Sequence, residues 1–322
     1  MRKTIAMTGA TGFAGRHTVA ELLKRGHTVV ALARDLTLAD LPEGVRLVQG
    51  DLASRPALEA LLEGADAVVH LAGALSGVTR EDFFRVNVAG TENVMRAAVA
   101  AGISRIVHIS SLAAREPRLS HYGASKWAGE AVVESLAPQA LIIRPPAVYG
   151  PGDKATLPLL KALTGATAII PGARVSRFSL IHVHDLARGI ALAVAGEGAG
   201  LVEVSDGTPG GYGWDDIASV AAHAAGHGVR PVFLPWMISS AAAIMAEGLA
   251  RISGKPGPIS RGKINELYHA DWVARGPGLP LKDAITFARG FAETLAWYRT
   301  VGWLPDQGPA GRTASSNDEA GP

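Results

Sequence analysis

The run Thr8-Gly9-Ala10-Thr11-Gly12-Phe13-Ala14-Gly15 constrains the fold of this chain more than any other stretch. Residues 3–7 before it read as a short apolar strand. After it, Val19, Leu22 and Leu23 recur at helical spacing until Gly26 closes the helix. Spaced glycines carry a nucleotide meaning when a strand precedes them and a helix follows, as here. Gly9 permits the tight turn, Gly12 keeps a Cβ away from an approaching pyrophosphate, and Gly15 lets the helix lie close on the strand. The expected class is α/β: a Rossmann-type doubly wound parallel sheet with a smaller, mostly helical C-terminal substrate domain.

Bulk properties narrow what such a fold can do. With 322 residues the chain can bury a large core, as one big domain or two joined ones. It has no cysteine, which excludes disulfides, thiolate nucleophiles and Cys-ligated zinc. A net charge of +2 is too balanced for a nucleic-acid partner. Thr8-Gly9 interrupts the apolar start at once, so it reads as a first strand and not a leader, and cytoplasmic residence is the expectation.

The chain alternates strands and helices in order. Residues 28–33 are apolar after Thr28, as a strand buried on both faces should be. At its end, where an acid would hold a ribose 2′-hydroxyl, stand Ala33 and Arg34; a guanidinium suits a 2′-phosphate, so NADP(H) is favoured over NAD(H). Strands follow at 45–49, 67–70 and 105–110. Asp51 falls just past the first of these, placed either to meet an adenine amino group or to cap the helix near Ser54. Residues 81–101 read as one long helix with Asn87 inside it, where the poor helix propensity of Asn suggests a hydrogen-bonding task.

Ser110 and Ser111 close the 105–110 strand, and a helix over 122–136 opens on Tyr122-Gly123-Ala124-Ser125-Lys126. Four residues apart, Tyr122 and Lys126 project from one helix face. A phenol titrates near ~10; the Lys126 ammonium and an oxidised nicotinamide would lower it toward working pH. Ser111 would hold a carbonyl or alkoxide oxygen toward that phenol.

In T-G-A-T-G-F-A-G, G-D-L at 50–52, H-L-A-G at 70–73, N-V-A-G-T at 87–91, I-S-S at 109–111, Y-G-A-S-K at 122–126, R-P-P-A-V-Y-G-P-G-D at 144–153 and H-V-H-D-L-A at 182–187, the chain resembles the extended short-chain dehydrogenases/reductases, also labelled the NAD-dependent epimerase/dehydratase family. The resemblance implies a hydride-transfer site of Ser111, Tyr122 and Lys126. It also implies a dinucleotide lying over Gly9, Thr11, Gly12, Phe13, Ala14 and Gly15, past Arg34, Asp51 and Leu52, and along Leu71, Ala72, Gly73, Pro145 and Val148, with Tyr122 and Lys126 touching its nicotinamide end.

Beyond Arg144 the two parts interleave: 1–150 and 178–206 are assigned to the dinucleotide part, 151–177 and 207–305 to the substrate part, and 306–322 to a disordered tail. Helices are expected at 154–163, 214–225 and 282–299, and strands at 174–183 and 201–204. His182 and His184 share a strand face, but no nearby acid or third ligand is expected to complete a metal site, so no metal is expected. Residues 231–250 carry one charge, Glu247, and the basic set Arg251, Lys255, Arg261 and Lys263 follows. That stretch reads as a packed helix, an apolar substrate wall, or a peripheral contact of 231–263 with the inner face of a membrane.

Leu112-Ala113-Ala114 follows Ser111, where sugar-nucleotide dehydratases of the family carry acids, and the Ser111–Tyr122 loop is short. These departures favour reduction of a ketone, or oxidation of the alcohol, on a hydrophobic substrate: a steroid or a long-chain lipid such as a 3-ketoceramide. The chain is similar in this to family members that reduce dihydroflavonols, steroids and ketosphingolipids. The alternatives are a nucleotide-sugar epimerase and a non-catalytic NADPH-holding accessory protein like the one in mitochondrial complex I. Family members also pair as homodimers through helices equivalent to 81–101 and 122–137.

Overall fold

A computed structural model describes residues 1–305 apart from 38, 197, 258, 277 and 280. The assigned tail, 306–322, lies outside the described residues. β1 (Thr4–Thr8) runs through the glycine turn into α1 (Phe13–Lys24), and β2 (Thr28–Ala33) and β3 (Arg46–Gln49) follow. α2 (Arg55–Leu62) leads to β4 (Ala67–His70). α3 (Arg80–Phe84), a π-helical turn over Arg85–Gly90 and α4 (Thr91–Ala100) lead to β5 (Arg105–Ile109). α5 (His121–Leu136) precedes β6 (Leu141–Arg144). Next come β7 (Ala147–Tyr149), α6 (Leu157–Ala162), β8 (Thr167–Ile170), β9 (Arg177–Phe178), β10 (Leu180–His182) and α7 (Val183–Ala195), before β11 (Gly200–Glu203).

The main sheet has seven strands in the order β11-β6-β5-β4-β1-β2-β3, every neighbour parallel. Strand order reverses between β1 and β4, so a crevice opens past Thr8 and His70 at their carboxyl ends. The pleat sorts side chains by face. Ile5 and Met7 pack with Val19 and Leu22 of α1 and Ile190 and Val194 of α7. Ala6, Val68 and Ile106 face the other way, onto Leu61, Met95 and Val133.

The C-terminal elements are β12 (Tyr212–Gly213), α8 (Trp214–Ala225), β13 (Arg230–Phe233), α9 (Trp236–Ser253), α10 (Arg261–Tyr268), β14 (Asp271–Trp272) and α11 (Phe287–Thr300). β13 pairs with β8, while β12 and β14 flank β9. A separate core of Leu160, Ile170, Trp214, Ile217, Phe291 and Tyr298 joins them.

Four local expectations need correction. The 81–101 rod is broken by the π-turn, where Asn87 is committed to side-chain bonds outside the helix. The 154–163 helix begins only at Leu157, with Pro158 in its first turn and Asp153 capping the turn before it. The 174–183 strand splits into β9 and β10, with β10 pairing to β7. The last helix starts at Phe287 and not at 282, because Asp283 has φ +52°, which no right-handed helix admits.

Candidate active site

The glycine turn is built as its spacing implies. Gly9 has φ +78°, and a Cβ there would stand 2.5 Å from the Ala72 amide nitrogen. At Gly15 a Cβ would overlap the Gly9 carbonyl oxygen, so α1 could not seat on β1. The Gly12 position is open: a Cβ would meet only the Gly9 oxygen, at 3.4 Å. α1 has neither a side-chain cap nor an acid in its first turn. Its free amides and dipole therefore face the crevice, a cradle that fits a pyrophosphate.

A continuous cleft of about 3160 Å³ runs from this turn across the carboxyl edge of the sheet to α9. That exceeds a single small-molecule pocket and has room for a dinucleotide beside a second ligand. All the site residues expected from sequence line it except Gly15, which lies beneath it as a packing residue. Arg34 is exposed at the cleft edge and makes no hydrogen bond or ion pair among the described residues. The Asp51 carboxylate accepts the amides of Ala53 and Ser54 at 2.9 and 3.1 Å, the capping role of the two weighed for it.

Tyr122 and Lys126 lie in the first two turns of α5, and Ser120 caps the helix by accepting the Gly123 amide at 2.8 Å. The Ser111 hydroxyl lies close enough to the Tyr122 phenol to act on its titration, and both line the cleft. Burial pushes the phenol up to about 12; the Ser111 hydroxyl opposes the shift and the Glu266 carboxylate adds to it. This corrects the expectation that Lys126 lowers it. The Lys126 ammonium is turned to the Ile109 carbonyl at 2.8 Å and is itself drawn down to about 8 by burial, against the pull of Glu130. At neutral pH the phenol holds its proton.

Asn87 repays its poor place in a helix. Its Nδ2 donates to the Ser125 hydroxyl at 2.9 Å and the Ala74 carbonyl at 3.1 Å, while its Oδ1 accepts the Ala74 amide at 2.7 Å. The loop after β4 is thus tied to the turn of α5 between Tyr122 and Lys126. Gly129 lets α5 approach so closely that a Cβ there would come within 2.4 Å of the Asn87 carbonyl.

Two neighbours of the site escaped the sequence reading. Glu266, buried on α10, accepts the Ser120 hydroxyl at 2.5 Å, and Asn265 donates to the Leu119 carbonyl at 3.1 Å. α10 therefore grips the start of α5 from 146 residues away, a distance no local pattern spans. The expectation that no nearby acid or third ligand joins His182 and His184 needs correction: Glu293 of α11 brings three potential ligand atoms within 4.8 Å of one another. His182 Nδ1 accepts the His184 amide at 3.4 Å and His184 faces Glu293 at 3.5 Å, while His182 Nε2 is buried with no hydrogen-bond partner among the described residues.

Burial holds several imidazoles neutral. His70, between the Thr8 and Thr91 hydroxyls at 2.6 and 3.0 Å, and His182 are each drawn down to about 3; His108 is also pushed well below its usual value. An unfolded histidine takes up a proton below about 6.5 whereas His70 and His182 do not until near 3, so the unfolded chain binds more protons in that window. Stability is therefore full above about pH 6.5 and falls as the pH drops toward 3. Urea denaturation is expected to show at least ~2 kcal/mol less stability at pH 5 than at pH 7. Equal midpoints and slopes at the two pH values would contradict these burials.

The pattern that defines the NAD dependent epimerase/dehydratase family matches residues 5–202, and the chain belongs to that family. It is 40% identical over 312 residues to ceramide reductase of Caulobacter vibrioides, spanning 94% of this chain and 97% of that protein. It is 33% identical over 228 residues, 63% of this chain and 68% of the other, to a 4-hydroxy-2-methyl-3-oxo-4-farnesyl-3,4-dihydroquinoline-1-oxide ketoreductase of Stigmatella aurantiaca. Its fold matches that of the Bordetella bronchiseptica enzyme WbmH, solved in complex with NAD+, with a TM-score of 0.69 at 20% identity over 94% of this chain and all of that one. The protein is an NAD(P)-dependent oxidoreductase of the extended short-chain type.

Proposed function

We propose that the protein reduces a ketone on a long-chain, ceramide-like lipid with NADPH. The observation that carries this is the single cleft in which Ser111, Tyr122 and Lys126 stand between the glycine turn at one end and Trp236 and Ile244 of α9 at the other. The 40% identity to a ceramide reductase along nearly the whole chain supports the same substrate class. When bound, the dinucleotide supplies the hydride that reaches the carbonyl carbon. Gly9, Gly12 and the amides at the start of α1 hold its pyrophosphate, with Leu71, Ala72, Gly73, Pro145 and Val148 along its length.

Ser111 donates a hydrogen bond to the carbonyl oxygen and steadies the charge that grows there. Tyr122 gives that oxygen its proton, a role suited to a phenol that stays protonated at neutral pH. Lys126 would hold the nicotinamide ribose when the dinucleotide is bound. Asn87 and Glu266 position the start of α5 and leave the chemistry to others.

The test is NADPH consumption by the purified protein against long-chain 3-ketolipids, steroid ketones and UDP-sugars. Turnover is expected with the ketolipids; turnover with UDP-sugars alone would overturn the reading.

Arg34, which has no partner among the described residues, supports the NADP(H) preference, since a 2′-phosphate would complete it with charge-assisted hydrogen bonds. Arg34→Ala is expected to raise the KM for NADPH ~10-fold or more, on the basis of ~1.5–3 kcal/mol for such bonds, and to leave the KM for NADH nearly unchanged. A KM for NADPH that stays at the parent value would return the preference to NAD(H).

A further inference from the structure

α9 is built inside out. Its buried positions, Ser239, Ala243 and Ala250 with half-buried Ala246, are small and recur every three or four residues, so the seam against the protein takes no large side chain. The large apolar side chains point outward: Met237 is 76% exposed, Met245 71%, Leu249 66% and Ile252 86%, with Trp236, Ile238 and Ile244 at least half exposed. Isolated exposed apolar residues are ordinary, but a contiguous row on one helix marks a surface that something covers.

Charge at the end of the helix indicates what covers it. Arg251 and Lys255 follow the apolar row and make no ion pair among the described residues. Glu247, the one acid of the helix, is bound to Arg261 at 3.0 Å. An apolar face ending in free cations matches an anionic bilayer surface, with acyl chains under the row and headgroups at the basic end. No helix of the described residues is long and apolar enough to cross a membrane, so such a contact would be interfacial. The inner edge of the same helix, at Trp236, Ser240, Ile244 and Glu247, lines the mouth of the cleft.

We infer that α9 rests its outer face on an anionic lipid bilayer, holding the cleft mouth at the membrane so that a bilayer-resident substrate reaches the site without crossing water. The contact stands on the build of α9; the delivery of substrate rests on the lipid-ketone reading above.

The test is flotation of the full-length protein with vesicles of phosphatidylcholine alone or mixed with phosphatidylglycerol. The comparison is the triple variant Met237→Asp, Met245→Asp and Leu249→Asp, whose positions are exposed and away from the cleft lining. The parent is expected to float with the mixed vesicles. The variant should lose that partition by roughly tenfold or more, with unchanged circular dichroism and unchanged turnover of a short, water-soluble ketone. A parent that stays in solution, or a variant that floats as well as the parent, overturns the inference. So does light scattering that shows a parent dimer split into monomers by the same substitutions, since a second copy would then cover the face. Vesicle binding without turnover of any long-chain ketone would keep the membrane contact and reject the substrate class instead.

Discussion

Tyr122→Phe is expected to lower the turnover of ketone by ~100-fold or more while the Kd for NADPH stays within about twofold of the parent. The substitution removes one oxygen. The ring keeps its place against Phe83, at a centroid distance of 6.4 Å, and the partner released is a surface of the cleft and not a buried charge. Loss of rate with retained binding isolates proton donation, because the phenol beside Ser111 holds its proton at neutral pH and the substitution takes away that proton alone. Lys126 is held away at the Ile109 carbonyl. Retained turnover would move the proton donor off Tyr122.

The second large effect concerns stability. Glu130 of α5 is buried and accepts two hydrogen bonds from Arg144 of β6, at 2.8 and 2.6 Å, as well as one from the Ser110 hydroxyl. It pins α5 to the sheet one residue before Ser111. Glu130→Ala leaves Arg144 with only Glu203, at 3.6 Å, and leaves Ser110 without its acceptor. Breaking a buried pair from one side costs about 3–5 kcal/mol, so urea denaturation is expected to report a loss of about 3 kcal/mol or more. Replacing both partners, Glu130→Leu with Arg144→Met, should recover a large part of that loss, since the Arg144 guanidinium is then not left without its carboxylate and Glu203 keeps Arg115 at 3.4 Å. A single variant as stable as the parent would show that the pair anchors nothing.

What sequence made legible was local. Strand, glycine turn and helix lie within two dozen residues, and the packing at Gly9 and Gly15 follows from backbone geometry that a reader can derive. Tyr122 and Lys126 share a face because four residues make about one helical turn, and Asn87 drew notice because it sits where helices tolerate it poorly. What stayed hidden depends on the whole chain. Glu266 reaches Ser120, and Glu293 reaches His184, only because distant helices dock there. The protonation of Tyr122 was misread for the same reason: spacing gives the nearness of Lys126, whereas burial, which dominates the phenol, is a property of the packed cleft. The segment over residues 231–250 shows a third limit. Its apolar content was plain, but β13 takes its first residues, and which face of α9 points outward is set by small residues packing on the protein rather than by large ones.

The most direct test of the central claim is a crystal structure of the protein with NADPH and an unreactive long-chain alcohol. The account predicts the pyrophosphate on the amides after Gly9, the nicotinamide beside Tyr122 and Lys126, and the alcohol oxygen between Ser111 and Tyr122 with its chain leading toward α9. A nicotinamide turned away from Tyr122, or a dinucleotide bound anywhere but the glycine turn, would contradict it.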